Sequence, residues 1–119
     1  MRKRSSSSVK VFYPRLSRED VVRLLRERLP GLARELPLVK AVLFGSYARG
    51  DYTVGSDIDL LVVYSGPPRD DAYVLVRKEL AIPGLEPHVY SQREYRQMGE
   101  VGRRMEAGGI VVYEGKEEG

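Results

Sequence analysis

Apolar residues recur along this chain in two rhythms. Short runs rich in β-branched residues, bounded by polar or glycine-containing stretches, predict strands over Leu38–Phe44 (LVKAVLF), Asp57–Val63 (DIDLLVV), Leu85–Tyr90 and Ile110–Tyr113. Val9–Tyr13 predicts a further short extended segment. The other rhythm is helical. Ser17 with Asp20 forms a capping box, and Val21, Leu24, Leu25, Leu29, Leu32 and Leu36 follow as one apolar stripe. Pro30-Gly31 is expected to kink or divide that helix, because proline removes a hydrogen bond and its ring meets the preceding turn. Asp70 or Asp71 starts a second helix to Leu80, with Val74, Leu75 and Val76 available to the core. Ser91 with Glu94 opens a third that carries Tyr95, Met98, Val101 and Met105 until Gly108-Gly109 ends it. Ser65–Arg69 reads as a loop, and Ile82-Pro83-Gly84 as a turn. Pro87 confines its strand to a sheet edge or a strand end. The alternation predicts an α/β (α+β) chain: a small mixed β-sheet backed by helices.

Composition narrows this picture. A chain of 119 residues can bury one core with little room for a second. The expected organisation is a disordered basic, serine-rich tail over 1–8, a single domain over 9–114 and a polar tail over 115–119. Without cysteine there can be no disulfide or thiolate metal site, in keeping with a reducing, cytoplasmic setting. No apolar run reaches the roughly 18 residues of a membrane span. The opening Met-Arg-Lys-Arg-Ser-Ser-Ser-Ser lacks the apolar segment of a secretory signal. Charge is uneven: the first 36 residues hold ten Lys or Arg against four Asp or Glu, and the remainder ten against 13. The basic third could meet an acidic partner or nucleic acid. With no nucleic-acid motif beside it, the plainer reading is a solvated, arginine-rich helix face.

The chemistry concentrates in residues 45–63, GSYARGDYTVGSDIDLLVV. Gly45 closes the first strand and lets the backbone turn sharply and approach a ligand. Ser46–Arg49 should begin a short helix whose free N–H groups face an anion, with the Ser46 hydroxyl adding a contact. Asp57 and Asp59, two apart on a strand, project to one face with Cα atoms roughly 6.6 Å apart. Carboxylates so placed can share two Mg²⁺ ions about 3.5–4 Å apart. Singly, Gly-Ser after a strand marks a turn and Asp-x-Asp a solvated strand end. In this order, with Ala-Arg-Gly between them, they are far more specific. Arg49 could approach phosphate or pair with Asp51 or Asp57. His88, the one histidine, shares a strand face with Glu86 and reads as a packing or supporting residue.

Gly-Ser-x-Ala-Arg-Gly followed by Ser-Asp-x-Asp-Leu resembles the signature of the DNA polymerase β-like nucleotidyltransferase superfamily, and the short chain resembles its minimal branch. The resemblance covers residues 38–63. It implies the polymerase β-like fold, Gly45, Ser46, Arg49 and Ser56 on the nucleotide side, and Asp57 and Asp59 as metal ligands. Glu86 is then the third catalytic carboxylate. The implied cofactors are two Mg²⁺ ions, with Mn²⁺ an alternative, and the implied substrate is ATP or another NTP. Minimal members look like antitoxins that silence a HEPN-type toxin by transferring AMP to one of its tyrosines. The alternatives are AMP transfer to a small hydroxylated molecule, as in aminoglycoside-modifying relatives, and an antitoxin that only masks its toxin. Nucleic acid and membrane are not expected as partners, and either a hetero- or a homo-oligomer is compatible.

Overall fold

The computed structural model describes residues 16–115. The tail expected over 1–8, the extended segment at Val9–Tyr13 and residues 116–119 of the expected polar tail lie outside them. The elements run α1 (Arg18–Ala33), β1 (Leu38–Phe44), α2 (Ser46–Arg49), β2 (Ile58–Tyr64), α3 (Ala72–Leu80), β3 (Leu85–Ser91), α4 (Gln92–Met98), α5 (Glu100–Glu106) and β4 (Ile110–Glu114). The four strands form one sheet in the order β3-β2-β1-β4. The β2–β3 pair is parallel, and β1 is antiparallel to both β2 and β4. This is the mixed sheet that the apolar pattern predicts. Pro87 lies on an edge strand, where only one flank of the backbone needs ladder donors.

The two faces of the sheet carry different loads. Ile58, Leu60, Val62 and Tyr64 of β2 point into the main core with the buried stripes of α1 and α3. The intervening Leu61 and Val63 join Val39 and Val42 in a smaller cluster against Tyr90, Tyr95 and Met105. Asp59 belongs to this second face by alternation, at the end where β2 begins.

Three helical expectations are corrected. The first helix is not divided at Pro30-Gly31: α1 runs through Pro30 to Ala33. Leu29 and Leu32, on either side of the proline, are fully buried. Each such burial stabilises by roughly 1.5–3 kcal/mol. Together they can offset the ~3 kcal/mol cost of proline in a helix. In α3 the core side is Ala72, Val76 and Leu80, spaced four apart, while Val74 is 63% exposed. Of the three expected core residues, Val76 is buried and Leu75 packs against the core, and only Val74 faces away. Asp71 sits at the N-cap without capping. Its carboxylate instead makes two bonds with Arg69, at 3.0 and 2.9 Å, and that guanidinium holds the carboxyl below the usual carboxylate range. The third helix is two, broken at Gly99 with φ 55° and ψ −118°. The Tyr95 ring packs across the break onto Gly102, where a Cβ would come within 2.8 Å of it. Val101 is turned out to solvent.

Much of the positive charge on α1 is used locally. Arg18 donates to the Ala48 carbonyl at 3.0 Å, Arg28 to that of Leu80 at 2.6 Å, and Arg26 to that of Val111 at 3.2 Å. Arg23 lies between Asp20 and Glu27. Among the described residues, no helix is long and apolar enough to cross a membrane.

Candidate active site

Strand directions decide where the motif residues meet. Because β1 runs against β2 and β2 runs with β3, the end of β1 and the starts of β2 and β3 share one end of the sheet. There Phe44 pairs with Asp59, and Asp59 pairs with Glu86, so the three form one row across three strands. Asp57 stands one residue before β2. The Ile58 N–H, donating to the Gly84 carbonyl at 2.8 Å, already ties that approach to the turn before β3. Asp59 and Glu86, separated by 27 positions in the chain, thus stand on adjacent strands whose backbones lie about 4.8 Å apart by ladder spacing.

Gly45 turns the chain at this row. Its φ of 77° and ψ of −153° suit glycine, and an added Cβ would lie 2.5 Å from Asp59 Oδ2. The Gly45–Ser46 backbone therefore passes directly over the Asp59 carboxylate. The short helix α2 is fixed from behind. Tyr47 stacks on Tyr52, with ring centroids 4.0 Å apart. The Tyr47 hydroxyl donates to the Leu16 carbonyl, and the Tyr52 hydroxyl accepts from the Arg18 N–H. These contacts join the turn to the start of α1.

The other expected site residues are placed as follows. Arg49 pairs with Asp51 at 3.3 Å, both well exposed. The Ser56 hydroxyl accepts from the Thr53 N–H at 2.8 Å and so closes the turn between α2 and β2. Asp57 and Glu86 are exposed, whereas Asp59 is partly covered. Asp59 Oδ1 lies 3.2 Å from His88 Nε2, and the imidazole packs edge-on against Phe44 at 5.1 Å. Sequence reasoning placed His88 on the face of Glu86. Its contact with Asp59 comes from the β2–β3 register, which no local pattern reveals.

Among the described residues, no three His, Cys, Asp or Glu side chains are gathered into a ready ligand set. The backbone nonetheless brings Asp59 and Glu86 side by side, with Asp57 next to them, and all their donors are carboxylate oxygens. Such donors suit a hard divalent ion such as Mg²⁺. The close approach of Gly45 leaves no room for a side chain there. By the chemistry of their donors, though not as a gathered set, these residues suit a divalent cation. A concavity of about 630 Å³ lies elsewhere, between α1 and Ile110, and none of the motif residues lines it. The candidate site is marked by its residue types, not by a cavity.

Comparison with known proteins finds chains of the same fold. A candidate nucleotidyltransferase from Sulfolobus solfataricus, solved by crystallography, superposes with a TM-score of 0.58 at 24% identity, over 82% of this chain and 83% of that one. A toxin–antitoxin complex crystallised with AMP-PNP superposes with a TM-score of 0.55 at 21% identity, over 76% of this chain and 74% of that one. At such identities the likeness is one of fold. A Methanocaldococcus jannaschii protein, named as a candidate protein adenylyltransferase, is 75% identical over 24 residues, which span 20% of this chain and 24% of that relative. The nucleotidyltransferase domain family matches residues 23–107, which include the glycine turn and all three carboxylates. With more than half of its length so matched, the chain belongs to the nucleotidyltransferase domain family.

Proposed function

We propose that this protein transfers AMP from ATP to a hydroxyl on a partner protein, in the manner of the antitoxin of a HEPN-type toxin pair. The observation that carries the reading is the row Phe44–Asp59–Glu86, with the Gly45–Ser46 turn folded over Asp59. It sets a tight glycine turn beside two neighbouring acidic residues. The fold shared with a toxin–antitoxin complex that contains an ATP analogue, and the short match to a candidate protein adenylyltransferase, favour the nucleotide and the protein acceptor.

In this reading Asp57, Asp59 and Glu86 hold Mg²⁺, or Mn²⁺ in its place, in a two-ion arrangement. The bound ions would neutralise the triphosphate and acidify the acceptor hydroxyl. The Gly45–Ser46 backbone and the Ser46 hydroxyl receive phosphate oxygens. Arg49, released from Asp51, adds a positive charge. Ser56 serves the nucleotide through the loop that it closes. The acceptor oxygen forms a bond to the α-phosphorus while the bond to the β-phosphate oxygen breaks, and pyrophosphate leaves. The acceptor proton passes to Glu86, the exposed carboxylate of the row. Holding the reactants in line supplies much of the acceleration.

The test is incubation with ATP labelled at the α-phosphate, Mg²⁺ and a HEPN-type partner. Label should move to a partner tyrosine, and Asp57→Asn with Asp59→Asn should abolish the transfer. The chain's eight tyrosines make self-labelling a separate signal, resolved by peptide mapping. Transfer to a small alcohol but not to protein would replace the acceptor with a small molecule. Full toxin neutralisation by the double variant would make masking, not transfer, the operative function.

A further inference from the structure

His88 is the only histidine in the chain, and the site described above does not yet employ it. Its Nε2 lies 3.2 Å from Asp59 Oδ1, and its ring meets Phe44 edge-on with centroids 5.1 Å apart and planes at 60°. The contact is diagonal across the parallel ladder, since His88 pairs with Leu61 and Asp59 with Glu86. Both side chains are about two-thirds covered, with 32% and 28% of their surfaces exposed. This is therefore a held contact, unlike a loose surface pair. The other oxygen of the same carboxylate, Oδ2, is the atom that Gly45 approaches. Asp57 and Glu86 have no side-chain hydrogen bond or ion pair among the described residues. The three carboxylates are thus unequal: one is fixed by a neighbouring ring and two are free to adjust.

We infer that His88 is a positioning residue: it holds Asp59 by Oδ1 so that Oδ2 stays directed into the Gly45 turn, ready for a divalent cation. The inference rests on the metal-dependent reading given above. An ionised carboxylate can only accept, so Nε2 is the donor in this contact. Phe44 blocks one side of the ring and limits its rotation. The carboxylate is spared a search among rotamers when the cation arrives. Groups that orient a metal ligand in this way change metal affinity by roughly 10- to 100-fold when removed.

Two measurements on the full chain test it. Calorimetric titration with Mn²⁺ alone should show His88→Leu, which keeps apolar bulk but has no donor, binding about 10- to 100-fold more weakly than the wild type. His88→Gln, with an amide N–H of similar reach, should recover most of the loss. If the wild type binds Mn²⁺ and His88→Leu binds it equally well, the positioning role is overturned while the metal-dependent reading stands. If the wild type takes up no Mn²⁺, that reading falls and the positioning role falls with it. The second measurement needs no variant that must fold. In ¹⁵N spectra the single imidazole should carry a hydrogen on Nε2 and should keep it when Mg²⁺ is added. Loss of the Nε2 hydrogen on Mg²⁺ addition would make His88 a ligand and overturn the proposal. The Nδ1–H form in the free protein would overturn it too.

Discussion

Gly45 illustrates how one residue can be required twice, by its own backbone and by its neighbour's carboxylate. A valine there would meet both a positive φ and Asp59 Oδ2 at 2.5 Å. Backbone strain of this kind costs about 1–3 kcal/mol, before any loss of ligand space is counted. Gly45→Val is expected to lower the melting temperature and to eliminate ATP binding in calorimetry; a variant that binds ATP normally would move the phosphate site elsewhere. Ser46→Ala should do much less, weakening ATP by roughly 0.5–1.5 kcal/mol, the worth of one neutral hydrogen bond. At this scale the sequence was most informative where chemistry follows from spacing. Gly45, Asp57 and Asp59 declare themselves within 15 positions. Glu86 could be named only through the family pattern. The engagement of the Ser56 hydroxyl with the Thr53 N–H, and of His88 with Asp59, depends on loop closure and strand register, which leave no mark in the local sequence.

At the scale of elements, caps were legible and breaks were not. Both capping boxes, Ser17 with Asp20 and Ser91 with Glu94, are present as the residue types predict. The Ser17 N–H donates to Asp20, and this bond, with a smaller contribution from the Ser17 hydroxyl, holds the Asp20 carboxyl below its ordinary value. The sign follows from linkage. A carboxyl whose pKa is depressed on folding adds its stability above the unfolded pKa, and that stability is lost as pH falls through the folded pKa. The stability gap between wild type and Asp20→Asn should therefore be widest near neutral pH and narrow below pH ~4. A gap in urea unfolding that stays constant with pH would show that the charge contributes nothing. The helix continues through Pro30 and stops at Gly99, where local rules allow a division at the first and suggest continuity at the second. The proline is carried by the buried Leu29 and Leu32, whereas Gly99 breaks a pattern whose apolar spacing looked continuous. Gly99→Ala should destabilise the fold by about 1–3 kcal/mol, since an L side chain rarely adopts its φ of 55° with ψ −118°. Leu29→Ala should cost more, about 2–5 kcal/mol, because it leaves a cavity under the helix. Thermal unfolding of both variants would rank them.

For the molecule as a whole, topology converts a linear motif into a candidate site. The apolar pattern implied a mixed sheet but could not give the order β3-β2-β1-β4, and the meeting of Glu86 with Asp59 depends on that order. Long-range register is set by the packing of whole faces against α1 and α3, so it becomes visible only when the chain is folded. The uneven charge that suggested a basic docking face is partly used within the fold, where arginines of α1 donate to carbonyls of α2, β4 and the end of α3. If the remaining charge steers an acidic partner, binding should weaken as salt rises past ~0.15 M, where screening acts beyond about 8 Å. Salt-insensitive binding would point to an apolar interface.

The central proposal is that nucleotide and divalent cation meet at the end of the sheet where Gly45 and Asp57 adjoin the paired Asp59 and Glu86. The most direct measurement is calorimetric titration of a non-hydrolysable ATP analogue, with and without Mn²⁺, into the wild type and into the chain carrying both Asp57→Asn and Asp59→Asn. These substitutions remove charge with little change of volume, so circular dichroism should match the wild type. The wild type should bind the analogue far more tightly with Mn²⁺ than without it, and the double variant should lose that gain. Equal binding by the two proteins in the presence of Mn²⁺, or nucleotide binding that ignores the ion, would contradict the account.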